Sequence, residues 1–268
     1  MNWARPRKIS GRSGMTLRVR VKISPRSRNS FAALLTLSSL ALLPSVTWSE
    51  PGDVSRLPFT REVCTMGDQD HPRHHRDTTC SALNGLSLRA AAAIAGAHSP
   101  TETLDRLNHF LFEAEGFRPT YDLDSPDHLL LRGVLAGKTG HCVGLATVYL
   151  VLAEQFDLPI HAVATPKHVF LRWDDGKFRR NIELFQKGRE VADEDYVRDQ
   201  KIPRESIESG VFLRSLTREE FLGFVYQTRG VLESRQGRYR QSARDYRRAL
   251  RLDGKLAAAY YNRGNDEL

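Results

Sequence analysis

The chain has 268 residues, with 40 Lys and Arg against 32 Asp and Glu and a formal net charge of +8. Nine of the basic residues lie among the first 28 positions, where there is no acid, so the rest of the chain is close to neutral, near −1. A near-neutral chain argues against a nucleic-acid partner, despite the high isoelectric point.

The N-terminal 49 residues are predicted to be a secretory signal peptide. The basic stretch is followed by an apolar run at 31–46 and then by small residues, which is the usual layout of such a leader. Because the apolar run is too short to span a bilayer comfortably, we expect a periplasmic or secreted protein. An uncleaved membrane anchor is the alternative, and only then would the chain contact a membrane.

The remaining chain accommodates one domain of catalytic size and a small appendage. The predicted division is a signal peptide at 1–49, an N-terminal loop region at 50–85, a core domain at 86–210 and a C-terminal segment at 211–268. The loop region carries the histidine cluster HPRHH at 71–75. Its proline and arginine interrupt regular ligand spacing, so no metal site is predicted.

The chain contains three cysteines, Cys64, Cys80 and Cys142. In an oxidising compartment, Cys64 and Cys80 are expected to form a disulfide that closes a short polar loop. This pairing leaves Cys142 as a free thiol.

The core pattern predicts helices followed by strands. Helical patterns start near residues 86, 99 and 125, and a densely apolar helix is predicted from Cys142 to about Phe156. The segments IHAVAT, HVFLRW and FRRNIELF then read as strands, with a hairpin turn at DDGK. Helices followed by antiparallel strands indicate an α+β core.

The C-terminal segment shows an internal repeat. VYQTRG at 225–230 and AYYNRG at 259–264 are displaced by 34 residues, the period of tetratricopeptide repeats. The expected result is an all-α helical hairpin. Its many arginines are explained most simply as a solvated helix face, and an acidic peptide or protein partner is the alternative.

Cys142 follows a Gly-Lys-Thr-Gly-His turn at the start of the apolar helix. Unpaired amides and the helix dipole lower the pKa of a thiol in that position. A nucleophilic cysteine also needs an imidazole within reach and a polar group that orients it. His168 begins the second predicted strand, and Asn181 and Glu183 share one side of the next, so either could orient the imidazole.

His141 is the other histidine close to Cys142. Adjacent residues on a helix point about 100° apart, so we assign His141 to the rim of the site.

The stretch from Gly137 to Thr165, together with HVFLRW and NIELF, resembles the transglutaminase-like superfamily, in the bacterial branch that joins a papain-like core to tetratricopeptide repeats. The resemblance implies a cysteine, histidine and aspartate triad, which falls on Cys142, His168 and Glu183, with Asn181 as the fallback for the third member. It implies no cofactor and a protein or peptide substrate.

Two functions follow from these observations. The first is a secreted cysteine hydrolase or acyltransferase acting on an amide or peptide bond. The alternative is a non-catalytic binding or assembly module that keeps the core as a scaffold and acts through the repeat segment.

Overall fold

The structure, a computed structural model, describes residues 52–69 and 78–266. The predicted signal peptide and the histidine cluster at 71–75 lie outside these ranges. Among the helices within them, none combines the length and the apolar character that crossing a membrane requires.

Most helices come either before or after the three strands that form most of the main sheet. The helices are α1 (Pro58–Gln69), α2 (Thr78–Ile94), α3 (Pro100–His109), α4 (Leu131–Gly137), α5 (Cys142–Gln155), α6 (Asp193–Gln200), α7 (Arg204–Glu208), α8 (Arg218–Arg235), α9 (Tyr239–Leu252) and α10 (Ala257–Asp266). The strands are β1 (Arg118–Pro119), β2 (Thr139–Gly140), β3 (Ile160–Ala164), β4 (Val169–Asp174), β5 (Arg179–Ile182) and β6 (Ser215–Leu216).

The main sheet is antiparallel, in the order β5-β4-β3-β6. Its register pairs Arg172 on β4 with Asn181 on β5. β1 and β2 form a separate parallel pair in front of α5. The mixture of helices with an antiparallel sheet confirms the predicted α+β class.

The helix α5 lies in the centre of the main core. Nearly every side chain from Val143 to Ala153 is buried, which confirms the prediction of a helix enclosed around most of its circumference. The other face of the sheet is covered by α6, α7 and the chain after them, through a smaller apolar cluster: Val163, Phe170, Tyr196, Ile202 and Leu213.

The predicted loop region at 50–85 is wrong in its conformation, because α1 and the start of α2 occupy much of it. The first amides of α1 are capped from a distance: Glu154 on α5 accepts from the amides of Phe59 and Thr60 at 3.1 and 2.9 Å. Leu57, directly before the helix, has no side-chain acceptor, so the cap that Glu154 provides could not be read from the local sequence. The predicted Cys64–Cys80 disulfide is confirmed, and it joins α1 to α2.

The C-terminal helices pack on the core through α8. Phe221 lies 6.0 Å from the ring of Phe59 between centroids, and the Tyr226 hydroxyl donates to Glu62 at 2.5 Å. Within the α8–α9 hairpin, a Cβ on Gly230 would come within 2.7 Å of the Tyr246 ring, so only glycine allows this close contact.

Candidate active site

The turn before Cys142 is shaped by close contacts between backbone segments. Lys138 ends α4 in a left-handed conformation, with φ of 52°, and the chain then passes through β2 to the start of α5. A Cβ on Gly144, in the first turn of α5, would lie 2.3 Å from the His128 carbonyl oxygen. The same carbonyl accepts from the His141 amide at 3.0 Å. The start of α5 is therefore held against the preceding chain.

His141 is not at the rim, contrary to expectation. Its side chain is 1% exposed, and its Nδ1 accepts from the Val143 amide at 3.1 Å, so that it caps α5. The expectation failed because it treated His141 as a helical residue, whereas its extended backbone (ψ of 177°) turns the ring back over the helix start.

Two imidazoles act on the thiol of Cys142, which is partly exposed. Burial acts to raise the pKa of this thiol, but hydrogen bonds with His141 and His168 and the charge of His168 lower it to about 6. Burial acts to lower the pKa of His168, but its hydrogen bonds with Cys142 and Glu183 raise it to about 9.

These pKa values define the pH range of an ion pair. Cys142 gains a proton as the pH falls through about 6, and His168 loses its proton as the pH rises through about 9. Between these limits the thiolate faces an imidazolium, which is the charge state that a cysteine nucleophile requires.

Glu183 is the group in contact with the far side of His168. It lies one residue beyond β5, and its two carboxylate oxygens are 3.0 and 2.9 Å from Nε2 of His168. This contact leaves Nδ1 as the ring nitrogen available to the thiol. Burial acts to raise the pKa of Glu183, but hydrogen bonds from His168, Tyr196 and the Phe185 amide lower it.

Asn181 is directed into a different network. Its Oδ1 accepts from Nε of the buried Arg172 at 2.8 Å, and its Nδ2 donates to the Val191 carbonyl at 2.8 Å and to Asp193 at 2.7 Å. The structure thus brings Cys142, His168 and Glu183 together and places Asn181 outside this group.

Tyr196, on α6, belongs to the site and was not foreseen. Its hydroxyl donates to Oε2 of Glu183 at 2.5 Å. It comes from the polar segment after Gly188, where a single tyrosine among charged residues gives no sign of burial; only the packing of α6 against the sheet brings it to Glu183.

Two further aromatic residues border the site. The ring of Phe185 lies 5.3 Å from the His168 ring and 4.8 Å from the Tyr121 ring, between centroids. Tyr121 is 84% exposed, and the neighbouring Thr120 amide donates to the carbonyl of Gly140, just before Cys142. An aromatic surface therefore extends from the imidazole to solvent.

Residues 77–215, slightly more than half of the chain, match the family model described as the transglutaminase-like superfamily. The chain belongs to this superfamily. Membership supports a cysteine-based catalytic domain in general terms. The matched range contains α2 through α7 with the whole candidate site, and it stops before α8.

The chain is also similar to F-box only protein 21 from Homo sapiens and Pongo abelii, at 27% identity over 119 residues, and from Mus musculus, at 24%. These alignments cover 41% of this chain and 19% of the relative, so the chain spans about a fifth of the length of the curated relatives it matches. We found no significant match among solved structures.

No cluster of three or more metal-ligating side chains lies in the two described ranges.

Proposed function

We propose that this protein is a secreted cysteine hydrolase or acyltransferase that acts on an amide or peptide bond through Cys142, His168 and Glu183. The observation that carries the proposal is the continuous chain of contacts from the thiol to the imidazole and from Nε2 to a buried carboxylate. Superfamily membership supports the same chemistry.

In the proposed reaction, the Cys142 thiolate attacks the carbonyl carbon, and the carbonyl π electrons move to oxygen. The oxyanion is stabilised by the Cys142 amide, which as the first residue of α5 has no acceptor within the helix. The His168 imidazolium donates its proton to the leaving nitrogen, the C–N bond breaks, and a thioester remains. Water or a substrate amine then attacks the thioester carbonyl and passes a proton to His168, which becomes the imidazolium again. The C–S bond breaks, which releases the acid or the new amide and restores the thiolate.

Two features support the proposal that the protein is exported. The predicted leader at 1–49 and the Cys64–Cys80 disulfide both suit a periplasmic or secreted protein. The proposed substrate is a protein or peptide, because Cys142 is half-buried and the aromatic surface of the half-buried Phe185 and the exposed Tyr121 leads from His168 to solvent.

Alkylation of the thiol tests this proposal. With Cys64 and Cys80 in a disulfide, iodoacetamide labels Cys142, and the labelling rate follows the thiolate fraction. We expect a midpoint near pH 6 in the wild-type protein and no labelling in Cys142→Ala. In His168→Ala the midpoint should rise, and the rate at pH 7 should fall by about tenfold or more.

A wild-type midpoint at about 8.5 or higher, the value of an ordinary thiol, would remove the proposal, as would an unchanged profile in His168→Ala. Acyl transfer is then measured as incorporation of a fluorescent primary amine into casein, and hydrolysis as ammonia or peptide release, with Cys142→Ala as the blank.

A second candidate function is a binding module that acts through the C-terminal helices, which we propose to be a tetratricopeptide repeat segment. The 34-residue displacement and the close contact of Gly230 with Tyr246 support this assignment. On α9, exposed arginines recur on one face at helical spacing, and none is ion-paired with another described residue: Arg240, Arg244, Arg247 and Arg251. Arg229 and Arg248, by contrast, pair with Asp245 and Glu62.

This pattern favours an acidic peptide as the partner, since carboxylates one helical turn apart match the spacing of the arginines. The test is fluorescence anisotropy with a labelled glutamate-rich peptide. Arg244→Gln/Arg247→Gln should weaken binding about tenfold, and the matched control Lys177→Gln/Lys201→Gln should leave it unchanged. Equal loss in both variants would indicate net charge alone and remove the candidate.

A further inference from the structure

The side chain of Tyr196 is buried, at 7% exposed, and is fixed from two sides. Its ring stacks on Phe170 with centroids 4.3 Å apart and an interplanar angle of 1°. Its hydroxyl donates to Oε2 of Glu183. A ring held by stacking has little freedom to rotate, so the hydroxyl has a defined direction.

The carboxylate of Glu183 needs this donor. It is 4% exposed, and a buried charge is costly unless hydrogen bonds replace its water. Oε1 accepts from the Phe185 amide at 2.8 Å and Oε2 accepts from Tyr196, while both oxygens face His168. Each oxygen thus has one donor of its own besides the shared imidazole, which sets the plane of the carboxylate.

The ring of Tyr196 also bounds His168. The centroids of these two rings are 6.3 Å apart with an angle of 30°, while Phe185 contacts His168 edge-on at 69°. The imidazole is therefore bordered by two aromatic rings as well as hydrogen-bonded to Glu183.

Behind Tyr196, the helix α6 is anchored by Asp193. This carboxylate accepts from Arg172 at 2.5 Å and from Asn181 at 2.7 Å. The first turn of α6 is thus tied to β4 and β5 by charged and polar contacts, and Tyr196 follows one turn later on the same helix.

We propose that Tyr196 is a positioning residue that holds the Glu183 carboxylate ionised and directed at His168. The proposal rests on the proposed function, since it assigns Tyr196 a role in that same site. Two titratable groups act on this carboxylate directly: His168, just before β4, and Tyr196 on α6. The groups that act on those two, or on Cys142, are His141 and Cys142 at the start of α5, Arg172 on β4 and Asp193 on α6.

Tyr196→Phe removes the hydroxyl and keeps the ring on Phe170, so the fold should be retained. Without the donor, the anion of Glu183 loses stabilisation, and its pKa should rise by about one unit. The rise can be read from the carboxyl carbon signal of 13C-glutamate-labelled protein, with the Glu183 signal assigned by its loss in Glu183→Gln.

The second readout is single-turnover acylation by p-nitroacetanilide at pH 7.5, because its leaving nitrogen needs the proton of His168. We expect about a tenfold slower acylation in Tyr196→Phe, with the iodoacetamide rate within about twofold of wild type, because the thiol keeps both imidazoles. The matched control is Tyr226→Phe, which removes a tyrosine-to-glutamate hydrogen bond of the same length on α8 and should change neither readout.

The role is supported if the Glu183 midpoint rises and acylation slows in Tyr196→Phe alone. It is overturned if the midpoint does not move, if the midpoint moves without any loss of acylation rate, or if Tyr226→Phe has the same effects. Failure of the proposed function is a different result: wild-type protein and Cys142→Ala would then acylate equally, while the titration of Glu183 could still be read.

Discussion

Asn181 and Glu183 lie two residues apart and point to the same side of the chain, yet their surroundings differ. Asn181 is bonded to Arg172, Asp193 and a backbone carbonyl, which are groups that tie α6 to the sheet. Glu183 is bonded to His168, Tyr196 and an amide, which connect it to the thiol. Strand periodicity thus places both residues on one side, whereas the neighbouring elements decide which of them belongs to the site.

The largest difference between the two positions should appear in the titration of His168. In Glu183→Gln the imidazolium loses its carboxylate, so its pKa should fall from about 9 towards the ordinary value of about 6.5, a shift of up to about two units. Because the folded pKa of His168 is raised, the stability that protonated His168 contributes through Glu183 is present below about pH 6.5 and is lost as the pH rises through about 9. In the variant, this loss should begin at lower pH.

The measurement is the proton NMR titration of the imidazole, assigned by loss of the signal in His168→Ala. Asn181→Ala serves as the comparison and should leave the midpoint near 9. A midpoint near 9 in Glu183→Gln as well would show that Glu183 does not support the imidazolium.

Asn181→Ala should act on stability instead. The buried Arg172, which is 1% exposed, loses the acceptor at its Nε, and Asp193 loses a donor. We expect the free energy of unfolding to fall by about 2 kcal/mol, measured by urea denaturation.

Asn84→Ala is the matched control for this substitution, because it removes one amide-to-side-chain hydrogen bond at a half-buried position and should cost less than about 1 kcal/mol. If Asn181→Ala shifted the midpoint of Cys142 alkylation and left the free energy of unfolding unchanged, Asn181 would belong to the network of the thiol and not to the one that ties α6 to the sheet.

The smallest effect is expected from Glu183→Asp. The carboxylate keeps its charge but retreats by about one C–C bond, or 1.5 Å, away from Nε2 and the Tyr196 hydroxyl. The pKa of His168 should fall by about one unit, less than in Glu183→Gln, since the coulombic attraction survives at longer range. A fall as large as that in Glu183→Gln would mean that direct contact, and not charge, supports the imidazolium.

Local patterns were sufficient for much of the fold. The apolar density from Val143 to Ala153 predicted an enclosed helix, and short segments separated by turns predicted β3 to β5. The short loop between Cys64 and Cys80, in a chain expected to be exported, predicted their disulfide. Cys142 was placed at a helix start from the turn that precedes it. Each of these inferences depends on neighbours in sequence or on composition, so the sequence alone contains the information.

Tertiary structure decided the rest. Helix α1 takes its cap from Glu154, nearly a hundred residues away; His141 folds back over the helix start; and Tyr196 reaches Glu183 only because α6 packs against the sheet. In the same way, two residues on one side of β5 received different partners. These contacts join segments that are distant along the chain, and no local periodicity records which segments meet, so only the packed structure distinguishes the residue facing the imidazole from the one that supports the sheet.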